Sequence, residues 1–189
     1  MSETEKQWFS GDGKDLKGSI ASGDSRGVAV VQLVSHETGS VLHSHFYDGR
    51  KESEKPAIRE VLEQSGALGQ KISLDAFHFS PQTLSLIHQA KGQYLISLKK
   101  NQKKLLAHMQ EVSTCLPVQC TFKTTDKGHR RIETRHYQVF DIKNKQLDKR
   151  FKKTGLTTHI KVQRQRLTLK NQKQTNEIAF YQRFSLLRK

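Results

Sequence analysis

Apolar residues along this chain first recur every second position and later every third or fourth, and that change of rhythm predicts its elements. QWFSGD (7–12) reads as a short strand ending in an acid, and GSIASGDSRG (18–27) as a flexible Gly/Ser loop. VAVVQLVS (28–35) and VLHSHFYD (41–48) are two strands around HETGS, a hairpin turn with Gly39 at its tip. The first three strands therefore predict an antiparallel meander. Ser53 and Pro56 then open a helix with Ile58, Val61 and Leu62 on one face and Gly66 near its end. KISLD (71–75) is a strand that again finishes in an acid. Ser80 and Pro81 provide a helix cap and first position, with Leu84 and Ile87 following and a stop at Gly92. QYLISL (93–98) reads as a buried strand, and Asn101 as the cap of a third helix carrying Leu105, Met109 and Val112 in register.

Beyond Pro117 the helical pattern fades. VQCTFKT, RIETRHYQVFDI, THIKVQRQRLTL and EIAFYQRFSLL read as β-strands joined by basic turns. The fold class predicted is thus α/β, a ribonuclease-H-like mixed sheet: three antiparallel strands, then parallel strands alternating with helices. A C-terminal β-rich insertion or lobe follows. The expected division is a core over 1–116 and a basic β-rich part over 117–189. Right-handed crossovers make the strands ending at Asp12 and Asp75 parallel neighbours, with both acids at carboxyl ends, where open α/β sheets place their chemistry.

Charge sharpens this picture. The 189 residues carry 33 Lys and Arg against 18 Asp and Glu, a formal net charge of +15, with a sequence pI near 9.9. From Cys120 onward the imbalance is 19 to 5. Such an excess attracts a polyanion, and polynucleotide phosphate is the commonest one. Mean hydropathy is -0.71, no apolar run reaches membrane-spanning length, and MSETEKQ lacks the basic-then-apolar order of a secretory signal. The expected location is the bacterial cytoplasm, in association with the nucleoid. Cys115 and Cys120 form a single C-x4-C pair, two ligands short of a structural zinc site, and read as reduced thiols.

Asp12 and Asp75 are the candidate metal ligands. Carboxylates are hard oxygen donors suited to magnesium or manganese, and a pair of such ions can serve phosphodiester displacement. Acids at strand ends also commonly cap the following turn, so spacing alone leaves both roles open. His43 and His45 share one strand face, a weaker metal pattern.

The local sequences add a resemblance. GDGKDLKGS around Asp12 resembles the D-G-K-x-L-R-G-S signature of the ISAs-type insertion-sequence transposases, the H-repeat-associated proteins. VQLVSHETGSVL is similar to their hairpin, and YDGRKESEKPAI to their E-K-x-N-E-I-x-A-I stretch, matching at Lys51 and Glu54. LDAFHFSPQT is similar to D-A-L-H-T-Q at Asp75, Ala76 and His78. YLISLKKNQKKL follows Y-x-x-x-x-K-x-N-Q-x-x-L through Tyr94, Lys99, Asn101, Gln102 and Leu105. KGHRRIETRHYQV resembles G-H-G-R-I-E-T-R at His129, Arg131, Ile132, Glu133 and Arg135. Six blocks occur in the right order.

The resemblance implies a DDE transposase. Such an enzyme uses three acids and two divalent ions, Mg or Mn, to cleave DNA at element ends and join the freed 3′-hydroxyl to target DNA. Asp12 and Asp75 match the first and second acids. A third-acid helix reading H-W-x-I-E-N is absent, and the helical region expected ahead of the first strand is missing. An incomplete copy with impaired activity is therefore expected. Glu133 stands as a candidate third acid, weighed against an arginine-paired structural role. Lys14, His78, Lys99, Asn101, Gln102, Arg130, Arg131 and Arg135 are the expected DNA contacts, and Arg130 stands where the family has Gly. Double-stranded DNA is the implied partner, with a homodimer as the assembly left open. The alternative is a catalytically inactive DNA-binding fragment that competes with full-length transposase.

Overall fold

The computed structural model describes residues 5–184. Their order is β1 (Trp8–Asp15), β2 (Val28–Ser35), β3 (Val41–Asp48), α1 (Glu54–Gln64), β4 (Lys71–Leu74), α2 (Pro81–Gln89), β5 (Gln93–Leu98), α3 (Lys103–Cys115), β6 (Cys120–Gly128), β7 (Arg131–Asp141), β8 (Thr158–Thr168) and β9 (Lys173–Phe184). The last predicted strand ran on through Ser185, Leu186 and Leu187, which lie outside the described residues. The class is a mixed α/β sheet with few helices. None of the described helices is long and apolar enough to cross a membrane.

The chain divides into two compact units. Among the described residues the first holds 5–96, Lys153–Gly155 and Phe184, and the second holds Ser97–Lys152 and Leu156–Arg183. Helix α3 accordingly groups with the second unit.

In the first unit the strands lie in the order β3-β2-β1-β4-β5. The β1–β2 and β2–β3 pairs are antiparallel, and the β1–β4 and β4–β5 pairs are parallel. The predicted meander is present, and Gly39 turns it with a φ of 69°. Helix α1 lays Ile58, Val61 and Leu62, all fully buried, on one face of the sheet beside Val31, Leu33 and Ile72. Gly11 makes that close approach feasible: a Cβ there would sit 2.6 Å from the Leu74 side chain and 2.8 Å from Ile58. Ser80 caps α2 by accepting from the Thr83 N–H at 3.2 Å, and Pro81 occupies the first turn, where its missing N–H costs nothing.

Two sequence expectations need correction here. Strand β1 does not end at Asp12; antiparallel pairing with β2 carries it on to Asp15, opposite Ala29. Asn101 does not cap α3, because it lies inside a 3-10 turn (Lys100–Gln102) that precedes the helix.

The second unit contains α3 and an antiparallel run in the order β9-β8-β7-β6. Its buried apolar residues include Leu105, Met109, Phe140, Phe151 and Val162. Strand β6 is exposed along its whole length and forms the edge of the run.

Candidate functional site

The parallel ladder between β1 and β4 pairs Trp8 with Lys71, Phe9 with Ile72, Ser10 with Ser73 and Gly11 with Leu74, and goes no further. Asp12, still within β1, and Asp75, the first residue after β4, come next. They therefore occupy equivalent positions one step past the ladder's carboxyl end. Neighbouring strands lie about 5 Å apart, and equivalent positions share a face. Gly11 and Leu74 point toward α1, so pleat alternation turns Asp12 and Asp75 to the opposite face, where both are exposed.

The two carboxylates are held differently. Asp75 Oδ1 accepts from the Phe77 N–H at 2.7 Å, capping the 3-10 turn Ala76–His78 and fixing the side chain's orientation. Its backbone is extended, with φ -76° and ψ 173°, so the alternation of faces continues through it. Asp12 has no side-chain partner among the described residues. Lys14, two residues on along β1, is exposed on the same face as Asp12. The pair offers hard oxygen donors of the kind magnesium and manganese accept. Among the described residues no group of three or more His, Cys, Asp or Glu is arranged to hold a metal ion.

His78 is completely buried, beside the first turn of α1. Its Nε2 lies 2.8 Å from Glu54 Oε1, close in distance though not aligned as a hydrogen bond. The Glu54 side chain also covers Gly13, where a Cβ would come within 2.2 Å of the Glu54 Cδ. Tyr47 is buried nearby, its hydroxyl pKa raised chiefly by burial and next by the charge of Glu54. Sequence reading matched Glu54 to a motif but gave it no role. The available signal was the coincidence of a glycine directly after Asp12, a histidine three residues after Asp75, and an acid opening α1. His43 and His45 also face α1: His43 Nε2 is 3.0 Å from Gln64 Oε1, and His45 Nδ1 is 3.6 Å from Glu60 Oε1.

In the second unit Glu133 is 4% exposed and ringed by arginines. Arg135 Nε donates to its Oε1 at 2.7 Å, Arg166 Nε donates to its Oε2 at 2.8 Å, and Arg164 Nε stands 3.5 Å from Oε1. Strand register creates this cluster, setting Glu133 opposite Arg166 and Arg135 opposite Arg164. The Arg166 hydrogen bond is the main reason the Glu133 carboxyl titrates below its ordinary range. Arg164 additionally donates to Glu177 at 3.0 Å, and Arg135 reaches Asp126 at 3.5 Å. Lys99 is exposed ahead of the 3-10 turn holding Asn101 and Gln102. A groove of about 610 Å³ has Lys99, Lys100 and Arg164 in its lining. Arg130 and Arg131 are exposed at the β6–β7 turn. Cys115 and Cys120 are exposed free thiols.

Comparison with known proteins bears on this arrangement. The protein named "Putative transposase YncI" of Escherichia coli O157:H7 is 31% identical over 153 residues, covering 77% of this chain and 38% of that protein. Its counterpart of the same name in E. coli K12 is 31% identical over 139 residues, covering 69% and 54% respectively. "H repeat-associated putative transposase YhhI" of the K12 strain is 26% identical over 159 residues, or 82% of this chain and 42% of that protein. The chain thus spans between 38% and 54% of the length of these relatives. Among solved structures, the sugar N-methyltransferase KedS8 from Streptoalloteichus overlaps 69% of this chain at a TM-score of 0.26 and 9% identity, too low to bear on fold or activity. The transposase DDE domain family matches residues 4–183, nearly the whole chain, and to that family the protein belongs.

Proposed function

We propose that the chain is a catalytic domain of insertion-sequence transposition, in which Asp12 and Asp75 together hold divalent ions for DNA strand cleavage and transfer. The observation that carries this reading is the placement of two exposed acids at equivalent positions on neighbouring parallel strands, one residue past the last paired residues and on the same face. The strand order β3-β2-β1-β4-β5, antiparallel then parallel, supports a ribonuclease-H-like first unit.

The donor set fits magnesium or manganese. Asp12 has both oxygens without a side-chain partner among the described residues, and Asp75 keeps Oδ2 beside the one that accepts from Phe77. Bound hard dications polarise a phosphate oxygen and activate water or a sugar hydroxyl. The chain's own contribution is positioning. The Phe77 N–H fixes the Asp75 carboxylate, and Lys14 presents a cation to substrate phosphate on the face that carries Asp12. Duplex DNA at element ends and at the target is the proposed substrate, and Lys99, Arg130 and Arg131, exposed in the second unit, are its proposed backbone contacts. His78, enclosed against Glu54, is not among them.

A second reading, a DNA-binding module that does not cleave, draws on Glu133. A carboxylate whose charge is already shared among three arginines fits a structural role better than that of a third acid. The purified chain incubated with supercoiled plasmid carrying element ends, in Mg or Mn, separates the two. Nicking that disappears in Asp12→Asn and Asp75→Asn supports the enzyme. Salt-sensitive binding without nicking supports the module, and neither binding nor nicking removes both.

A further inference from the structure

We propose that the adjoining tips of the β6–β7 and β8–β9 hairpins form the main DNA-backbone contact of the second unit, while the arginines around Glu133 carry little of it. The inference rests on the reading that this chain binds DNA, and specifies where. Two observations support it: which cations are neutralised, and what backbone the tip adopts.

Arg135, Arg164 and Arg166 face Glu133, Glu177 and Asp126, three cations to three acids in one contact network. An arginine already paired gains little by releasing a phosphate's counterions, because its charge is spent locally. The tips are different. Lys127, Arg130, Arg131, Lys170 and Lys173 lie there with His129, all exposed, and neither turn segment (127–131, 169–173) contains an acid. None of these five has a side-chain ion pair among the described residues. The Leu169 N–H donates to the Arg130 carbonyl at 2.8 Å, so the two turns sit side by side and their charges form one patch.

The backbone carries the second argument. His129 and Arg130 have φ of 49° and 58°, consecutive left-handed residues at the centre of a two-residue turn. That is the type I′ pattern, which favours Asn-Gly and disfavours residues with long side chains. Left-handed backbone is sterically unfavourable for a residue with a side chain, because its Cβ crowds the neighbouring carbonyl oxygen. A long cation is therefore displayed at the apex where glycine would suit the backbone better. Gln172 on the second turn is also left-handed, at φ 52°, and its Nε2 donates to the Leu169 carbonyl at 3.2 Å, ordering that loop.

The test is the salt dependence of binding to a duplex oligonucleotide, measured by fluorescence anisotropy from about 50 to 200 mM salt. Removing one phosphate-binding cation lowers the slope of log K against log salt by about 0.9, equivalent to about 8-fold in affinity near 0.1 M. Arg130→Gly combined with Lys170→Ala is expected to lower the slope by nearly 2. Arg130→Gly alone should leave the melting temperature unchanged or raised, since glycine relieves the left-handed strain. The matched control is Lys104→Ala with Lys145→Ala, two exposed cations away from the tips. A tip variant with the parent slope, or a control whose slope falls as far, overturns the assignment. Parent protein with no salt-sensitive binding instead refutes DNA binding itself.

Discussion

Glu54 Oε1 lies 2.8 Å from His78 Nε2, and the same side chain lies over the backbone of Gly13. One carboxylate at the start of α1 thus touches both segments that carry the exposed acids, from the opposite face of the sheet. His78 has no exposure and neither ring nitrogen has an aligned hydrogen-bond partner, so the Glu54 carboxylate 2.8 Å away is the polar group that offsets its burial, by proximity.

Removing that group should be costly. Glu54→Ala is expected to destabilise the fold by about 1–3 kcal/mol, the penalty for leaving a buried polar group unmatched. Glu54→Gln should lose less, because it retains the shape and a polar terminus. Urea denaturation of the three proteins measures both. Equal stability of parent and Glu54→Ala contradicts the anchoring role.

Gly13→Ala tests the same contact from the other side. The added Cβ meets Glu54 at 2.2 Å, so the acid must move away from its place over the strand. A small loss is expected, since the end of the Glu54 side chain is partly exposed and can swing aside at the cost of its contact with His78. In a Glu54→Ala background the further cost of Gly13→Ala should shrink, because the clashing atoms are gone. A double-mutant cycle reads this coupling directly.

Glu133 separates a structural acid from a catalytic one. Glu133→Gln leaves three arginines facing each other without their shared charge, and is expected to lower the melting temperature of the second unit. A metal-binding acid would behave oppositely, since its replacement abolishes cleavage while sparing or raising stability. Because its carboxyl titrates low, Glu133 contributes stability above the ordinary carboxylate range, and this is lost as pH falls through its depressed folded value.

His159 supplies a pH dependence of its own. Burial lowers its pKa to about 4; Nδ1 sits 2.7 Å from Gln182 Nε2, and the ring stacks on Phe180 at 5.4 Å. The folded protein holds this imidazole neutral, whereas the unfolded chain protonates it below about 6.5. Its contribution is therefore fully present above pH 6.5 and is lost as pH falls toward 4, by an amount on the order of 3 kcal/mol. His159→Phe should flatten the stability profile between pH 6.5 and 4. An unchanged profile would mean that other groups govern acid unfolding.

Much of the first unit was legible because its signals are local. The meander followed from alternation and Gly39, and α2 from Ser80 and Pro81. The end of β1 was misread because Gly13, Lys14 and Asp15 lack the apolar alternation of a strand, yet pairing with β2 keeps them extended. Asn101 was read as a cap because its residue type favours one, while the neighbouring backbone forms a 3-10 turn instead. For the candidate site, residue types marked Asp12 and Asp75, but only the β1–β4 register brings them abreast. The roles of Glu54 and of the arginines around Glu133 depend on contacts 24 and 33 residues apart in sequence, which no local pattern reveals.

Manganese binding to the parent protein, Asp12→Asn, Asp75→Asn and the double variant, followed by electron paramagnetic resonance, addresses the shared cation site without requiring turnover. Each single variant should weaken binding at least about 10-fold, and the double variant should lose little more, as expected when two ligands serve one site. Affinities unchanged from the parent in both single variants would contradict a cation site shared by these two acids.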